Sequence, residues 1–252
     1  MEVLILGGTT EASAIATALA ADARVRAVLS LAGRTRAPVL PAIPARRGGF
    51  GGVDGLVAYL REHSVAALID ATHPFAAQIS RNAVAAATTA GVPMVSVLRP
   101  QWLACPGDRW TTVADMPEAV QALGVTPRRV FLTVGQQELA PFSLAPWHNY
   151  LIRSVEPPDP SLLPTTARCI TARGPFREDE ERRLLERDGI EALVTKNSGG
   201  AATAPKLAAA RALGIEVVMV ARPAAPPGKT VPDAAGTLAW LDHVAATWKR
   251  GV

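Results

Sequence analysis

Apolar positions along this chain alternate between two rhythms. Short β-branched or Leu-rich runs read as strands, and longer Ala-rich stretches with apolar residues three and four apart read as helices. Strands are predicted at residues 3–6, 25–31, 65–69 and 92–98, with a short one within 42–47. Between them, Ala12, Ile15, Ala16, Leu19 and Ala20 form one helical stripe. Val53, Leu56, Val57 and Leu60 form a second, and residues 75–90 a third that Gly91 stops. The rhythm lapses after Arg99-Pro100-Gln101-Trp102 and then restarts. A helix is predicted at 117–123 and strands at 130–134, 150–155, 168–171, 192–195 and 215–220. Glu178-Asp179-Glu180-Glu181 opens a helix whose later turns carry Arg182, Arg183 and Arg187, the charge order a helix dipole favours. Another helix runs to Leu213, and Leu238, Leu241, Val244 and Trp248 define a closing amphipathic one.

Strand–helix alternation of this kind predicts an α/β fold, a parallel sheet with helices on both faces. The lapse near residue 100 divides the chain into two expected domains, 1–100 and 101–252. In such sheets ligands bind at the carboxyl ends of the strands, so the residues just after each strand carry the functional information.

Composition narrows the partners. The chain has 252 residues, 49% of them hydrophobic and 19% charged, which excludes wholesale disorder. Lys+Arg 26 against Asp+Glu 22 gives a net charge of +4, and only 5% of residues are aromatic. Scattered arginines with few stacking rings argue against nucleic acid and for small anionic ligands. Cys105 and Cys169 have no spacing that suggests zinc or a disulfide scaffold, so no metal is expected. No apolar run reaches a membrane span, and the opening Met-Glu-Val-Leu-Ile-Leu lacks the basic start of a signal peptide. A cytoplasmic protein without membrane partners is expected, and no pattern fixes an oligomeric state.

The strongest local signal is Gly7-Gly8-Thr9-Thr10-Glu11-Ala12, between the first strand and the first helix. It departs from the dinucleotide fingerprint G-x-G-x-x-G/A in having Thr9 at the middle glycine. The mechanics survive: Gly7 and Gly8 permit a tight turn and close backbone approach. Helix N–H groups with the Thr9 and Thr10 hydroxyls suit a pyrophosphate. The alternative is a Gly-rich turn with a Thr cap and no ligand. After the second strand, an NAD site usually carries an acid for the ribose hydroxyls. Here Ser30 is followed by Arg34 and Arg36 with no acid, a set that suits a 2′-phosphate and hence NADP(H). Asp70-Ala71-Thr72-His73-Pro74-Phe75 follows another strand, which makes Thr72 and His73 candidate cofactor or substrate contacts. His63, His148 and His243 have no comparable setting.

These segments together resemble a known family. Ile5-Leu6-Gly7-Gly8-Thr9-Thr10-Glu11-Ala12, Asp70-Ala71-Thr72-His73-Pro74-Phe75-Ala76, Arg173-Gly174-Pro175-Phe176 and Thr195-Lys196-Asn197-Ser198-Gly199 are similar to segments of the precorrin-6A (precorrin-6x) reductase family of cobalamin biosynthesis. The resemblance runs in order over essentially the whole chain. It implies two Rossmann-like α/β domains with the active site and the tetrapyrrole in the cleft between them. It further implies hydride transfer from NADPH to a ring D double bond, at the carbon bonded directly to ring A, giving precorrin-6B. A precorrin is fringed with carboxylates and needs cations and backbone N–H donors on converging loops. Gly135 and Gln136, then Arg173, Gly174 and Pro175, then Lys196, Asn197, Ser198 and Gly199, each follow a strand and become candidate substrate contacts. Arg153 and Arg222 also sit near strand ends.

Three alternatives remain at this level. One is the cobalt-precorrin-6A reductase of the anaerobic pathway. Another is a non-catalytic NADP-sensing module, which would not need an anion-binding rim in the second domain. The third, a different small-molecule reductase, lacks support, since neither Tyr59 nor Tyr150 has a lysine four residues on. No residue is marked as the proton donor. His73 and Glu11 are candidates, alongside solvent.

Overall fold

A computed structural model describes residues 1–33 and 42–248. Each predicted strand is present. In chain order, β1 (Glu2–Leu6), α1 (Thr10–Ala20), β2 (Arg26–Leu31), β3 (Ala45–Arg47), α2 (Gly52–Glu62), β4 (Val65–Asp70), α3 (Ala77–Ala90) and β5 (Met94–Val97) come first. They are followed by β6 (Trp110–Val113), α4 (Met116–Leu123), β7 (Arg129–Thr133), β8 (Asn149–Ser154) and β9 (Ala167–Thr171). The chain ends with α5 (Glu178–Arg187), β10 (Ala192–Lys196), α6 (Pro205–Ala212), β11 (Glu216–Val220), β12 (Thr230–Val231) and α7 (Ala234–Trp248).

Two compact units result: Met1–Pro100 with Pro223–Val252, and Gln101–Arg222. The first holds a six-stranded sheet in the order β3-β2-β1-β4-β5-β12, and the second one in the order β9-β8-β7-β10-β11-β6. Every neighbouring pair is parallel. The two orders are the same pattern, with five strands contributed consecutively by one stretch of chain. The sixth is exchanged. β6, which follows the first five, pairs with β11 in the second sheet, whereas β12, which follows β11, pairs with β5 in the first.

That exchange corrects the expected second domain. Residues 223–248 belong with the first unit, because Trp240, Leu241 and Val244 of α7 are buried in the same cluster as Val3, Ile5 and Val95. The sequence also gave no sign of β6. Thr111 and Thr112 at its centre are exposed, so no apolar pattern marks it.

Period-2 alternation explains the layering of the first unit. Val3 and Ile5 face the α1/α7 layer, while Leu4 and Leu6 face α2 and α3 with Leu56, Leu60 and Ala83. β4 is buried at all six positions, as a central parallel strand covered on both faces must be. In the second unit Phe131, Leu151, Leu193 and Val217 bury against α5 and α6 through Leu185, Leu207 and Ala210.

Candidate functional site

The first unit gathers the glycine turn, the end of β2 and the end of β4. The Gly7 N–H donates to Ser30 O at 2.9 Å. A Cβ at Gly7 would come within 2.5 Å of Leu29 Cδ1, so the turn packs directly on β2. Gly8 has φ +124°, a region closed to most L-residues. Thr9 caps α1 by accepting from the Ala12 N–H at 3.1 Å, and its own hydroxyl donates to Ala71 O at 2.8 Å. The expected Thr9 hydroxyl donor is therefore spent on tying the turn to the end of β4. Thr10 likewise donates to Glu11 Oε2 at 3.1 Å.

Glu11 receives Arg99 at 2.8 Å. Burial pushes its carboxyl up, but its own helix N–H, the Arg99 guanidinium and the Thr10 hydroxyl outweigh that and hold it below the ordinary value. Glu11 is thus an ionised carboxylate with no proton to give at neutral pH.

Ser30 is buried at the end of β2, and Arg34 and Arg36 lie outside the described residues. The structure adds a cation that the sequence reading passed over. Arg46, in register with Ser30 across β2 and β3, donates to Ser30 Oγ at 2.8 Å, to Gly48 O at 3.1 Å and to Gly49 O at 3.0 Å. Its guanidinium lies 3.8 Å from the Phe50 ring centroid and 5.3 Å from that of Tyr59. The only signal for it was Arg46-Arg47 before Gly48-Gly49 at the end of the expected third strand.

At the end of β4, Thr72 folds back on Asp70 through its N–H at 3.1 Å and its hydroxyl at 2.7 Å. His73 Nδ1 accepts from the Phe75 N–H at 3.2 Å, which leaves the proton of a neutral ring on Nε2. Asp70, Thr72, His73, Ser80 and Ser96, with the Pro223 to Pro227 segment, line a cavity of about 300 Å³ at the carboxyl ends of β4 and β5. The predicted cofactor residues that are described, from Gly7 to His73, thus cluster at this end of the sheet.

In the second unit the three predicted loops are joined by hydrogen bonds. Lys196 Nζ donates to Glu138 Oε1 at 3.0 Å and Oε2 at 2.7 Å, and the Gly135 N–H donates to Oε2 at 2.7 Å. Gln136 Nε2 donates to Glu156 O at 3.1 Å. Asn197 exchanges two bonds with the Trp102 backbone, at 2.9 and 3.0 Å. Arg222 holds the carbonyls of Asn197 and Ser198, at 3.2 and 2.9 Å. Gly199 has φ +66°, in the left-handed region. In the Arg173 turn the Gly174–Pro175 peptide is cis, and the Phe176 N–H donates to Ala202 O at 3.0 Å.

Arg153 does not offer a free cation. Its guanidinium lies 3.8 Å from the Phe176 ring and 5.0 Å from the Phe131 ring and pairs with both carboxylate oxygens of Glu181. His148 is fully buried, with Nε2 donating to Gly124 O at 3.1 Å. Among the described residues no group of His, Cys, Asp and Glu is placed to hold a metal ion, and no helix is long and apolar enough to cross a membrane.

A glycine turn opening a helix, at the point where the sheet order β3-β2-β1-β4-β5-β12 reverses direction, defines a Rossmann-like α/β protein. Residues 2–242 match the model of the precorrin-6x reductase CbiJ/CobK family. The chain belongs to that family. It is 50% identical to a precorrin-6A reductase of Rhodobacter capsulatus, over 99% of this chain and 98% of the relative. The solved structure of a CobK precorrin-6A reductase superposes with a TM-score of 0.92 at 49% identity, covering 97% of each chain. A cobalt-precorrin-6A reductase of Synechocystis sp. is 33% identical over 69% of this chain and 70% of its own length.

Proposed function

We propose that this protein is an NADPH-dependent precorrin-6A reductase of cobalamin biosynthesis, working in the cytoplasm. NADPH gives a hydride to the ring D double bond of the macrocycle, at the carbon bonded directly to ring A. A proton completes the addition, and the products are precorrin-6B and NADP⁺. The observation that carries this reading is family membership along residues 2–242, with about half of all positions identical to a relative bearing that name.

The first unit supplies the cofactor site. Gly7 and Gly8 let the backbone approach the pyrophosphate, and the Thr10 N–H at the start of α1 faces it. Ser30 with Arg46, and Arg34 and Arg36 beyond, take the 2′-phosphate. Support for NADP(H) over NAD(H) is Arg46 beside Ser30, together with the lack of a ribose-binding acid in the sequence after β2. Thr72 and His73 line the cavity at the nicotinamide end of the sheet. The second unit holds ring carboxylates through Arg173 and the turns at Gly135, Gln136, Gly174, Pro175, Asn197, Ser198 and Gly199.

The cobalt-free substrate is favoured by the higher identity to relatives named for it, 50% against 33%. The test is anaerobic turnover of precorrin-6A and of its cobalt complex with NADPH. Oxidation of NADPH with formation of precorrin-6B is expected, and faster with the metal-free ring. Stable NADPH in the presence of both rings sinks the reading.

A further inference from the structure

We propose that Lys196 is the acid that protonates the tetrapyrrole after hydride transfer, with Glu138 holding it in position. The proposal rests on the reductase reading and assigns a step that reading leaves open. In the second sheet, β8 and β9 extend to one side of β7, and β10 and β11 to the other. The boundary between β7 and β10 is therefore a switch point, where loops leave in opposite directions and open a crevice beyond the strand ends. Lys196 ends β10 and Glu138 lies in the turn after β7, so their ion pair spans that crevice.

Two features separate this crevice from a phosphate site. β7 runs into 3₁₀ turns at Gln136–Glu138 and Ala140–Leu144, so no α-helix follows β7 directly at its carboxyl end. The cation at the strand end is paired with a carboxylate, Glu138, which would repel a phosphate. The same carboxylate argues against Lys196 as an anchor for a ring carboxylate, because both Glu138 oxygens already sit on the ammonium, at 3.0 and 2.7 Å. Glu138 is itself fixed by the Gly135 N–H at 2.7 Å, and a Cβ at Gly135 would reach Oε2 at 2.9 Å. The pair is held in one place yet remains 15% and 29% exposed, so water reaches it.

The chemistry needs such a group. Hydride addition to one carbon of the double bond leaves the electron pair, delocalised through the ring, at the other. The Lys196 ammonium gives a proton to that carbon, a C–H bond forms and an N–H bond breaks. NADPH has become NADP⁺, and the neutral amine regains a proton from water. Glu11, the ionised carboxylate of the first unit, has none to give.

The experiment is steady-state reduction of precorrin-6A by NADPH in wild type, Lys196→Ala, Lys196→Arg and Glu138→Gln, with a separate NADPH titration of each. Lys196→Ala is expected to lose roughly 10²–10⁴-fold in kcat, the usual share of a general acid. Its KM for the ring should stay within about threefold and NADPH affinity should be unchanged. Lys196→Arg should stay slow, since a guanidinium does not release its proton, while added ethylammonium should restore part of the Lys196→Ala rate. Glu138→Gln should lose less. A Lys196→Ala variant that keeps kcat, or one whose defect lies in KM and is repaired by arginine, overturns the assignment while leaving the reductase reading intact. A wild type that does not reduce the ring overturns both.

Discussion

The buried Arg153–Glu181 pair makes a quantitative prediction about the second unit. The side chains are 7% and 3% exposed, and the guanidinium is stacked on Phe176 at 3.8 Å. Glu181→Gln keeps the shape and removes the charge. Breaking a buried pair by removing one partner costs about 3–5 kcal/mol. The amide oxygen still accepts one bond from the guanidinium, which returns about 1.5 kcal/mol, so the expected loss is about 1.5–3.5 kcal/mol. At a urea slope of about 1–3 kcal/mol/M this moves the midpoint down by roughly 0.5–3.5 M. Replacing both partners, as Arg153→Met with Glu181→Leu, removes the stranded charge. It should be less destabilising than Glu181→Gln alone, losing chiefly the cation–π contacts with Phe131 and Phe176, about 0.5–2 kcal/mol. Urea unfolding followed by far-ultraviolet circular dichroism, run as a double-mutant cycle, measures this directly. Because Phe176 closes the turn that carries Arg173, Glu181→Gln should also raise KM for the tetrapyrrole without changing NADPH affinity. A Glu181→Gln transition within about 0.5 kcal/mol of wild type, or a double variant as unstable as the two singles summed, would refute the reasoning.

Three further outcomes are expected. Gly8→Val should keep native circular dichroism and lose NADPH binding, because a β-branched residue at φ +124° distorts the turn; an unchanged titration would remove that turn from the phosphate site. Arg46→Met should weaken NADPH about ten- to a hundredfold, the value of one charged hydrogen bond, and NADH much less; equal losses for both cofactors would take Arg46 away from the 2′-phosphate. Burial, with Arg128 nearby, holds the His148 pKa below its ordinary value against the bond to Gly124 O. The unfolded chain therefore binds a proton that the folded one refuses, and stability falls as pH drops below about 6.5, with a slope of at most about 1.4 kcal/mol per pH unit, until the lowered folded pKa is passed. His148→Gln should flatten that part of a stability–pH curve, and an unaltered slope would assign it to other groups.

What the sequence made legible was local. β1, the glycine turn and α1 follow from one apolar run, two glycines and a threonine cap, and β4 from the apolar run at 65–69. Allegiance between distant segments was not legible. The stripe of α7 shows that it buries one face but not which sheet receives it. β12 is two residues long and leaves no pattern. Arg46 reads as one more strand-end arginine until the register sets it beside Ser30. Lys196 and Glu138 are 58 positions apart, one ending a strand and the other in a 3₁₀ turn, so no periodicity links them and only the folded chain brings the ammonium onto the carboxylate.

The exchange of sixth strands bears on how the protein is made. A ribosome releases β1 to β5 first, but β12 and α7, which close that sheet and cover Val3 and Ile5, are the last described elements to emerge. At roughly 5–20 residues per second, synthesis from Pro100 to Trp248 takes about 7–30 s. During that interval the contiguous segment Gln101–Arg222 emerges whole, while the amino-terminal sheet waits with one apolar face covered by α1 alone. The later-made unit is therefore able to fold first, the reverse of the usual order. A nascent chain stalled before residue 230 would present that partly covered face to chaperones.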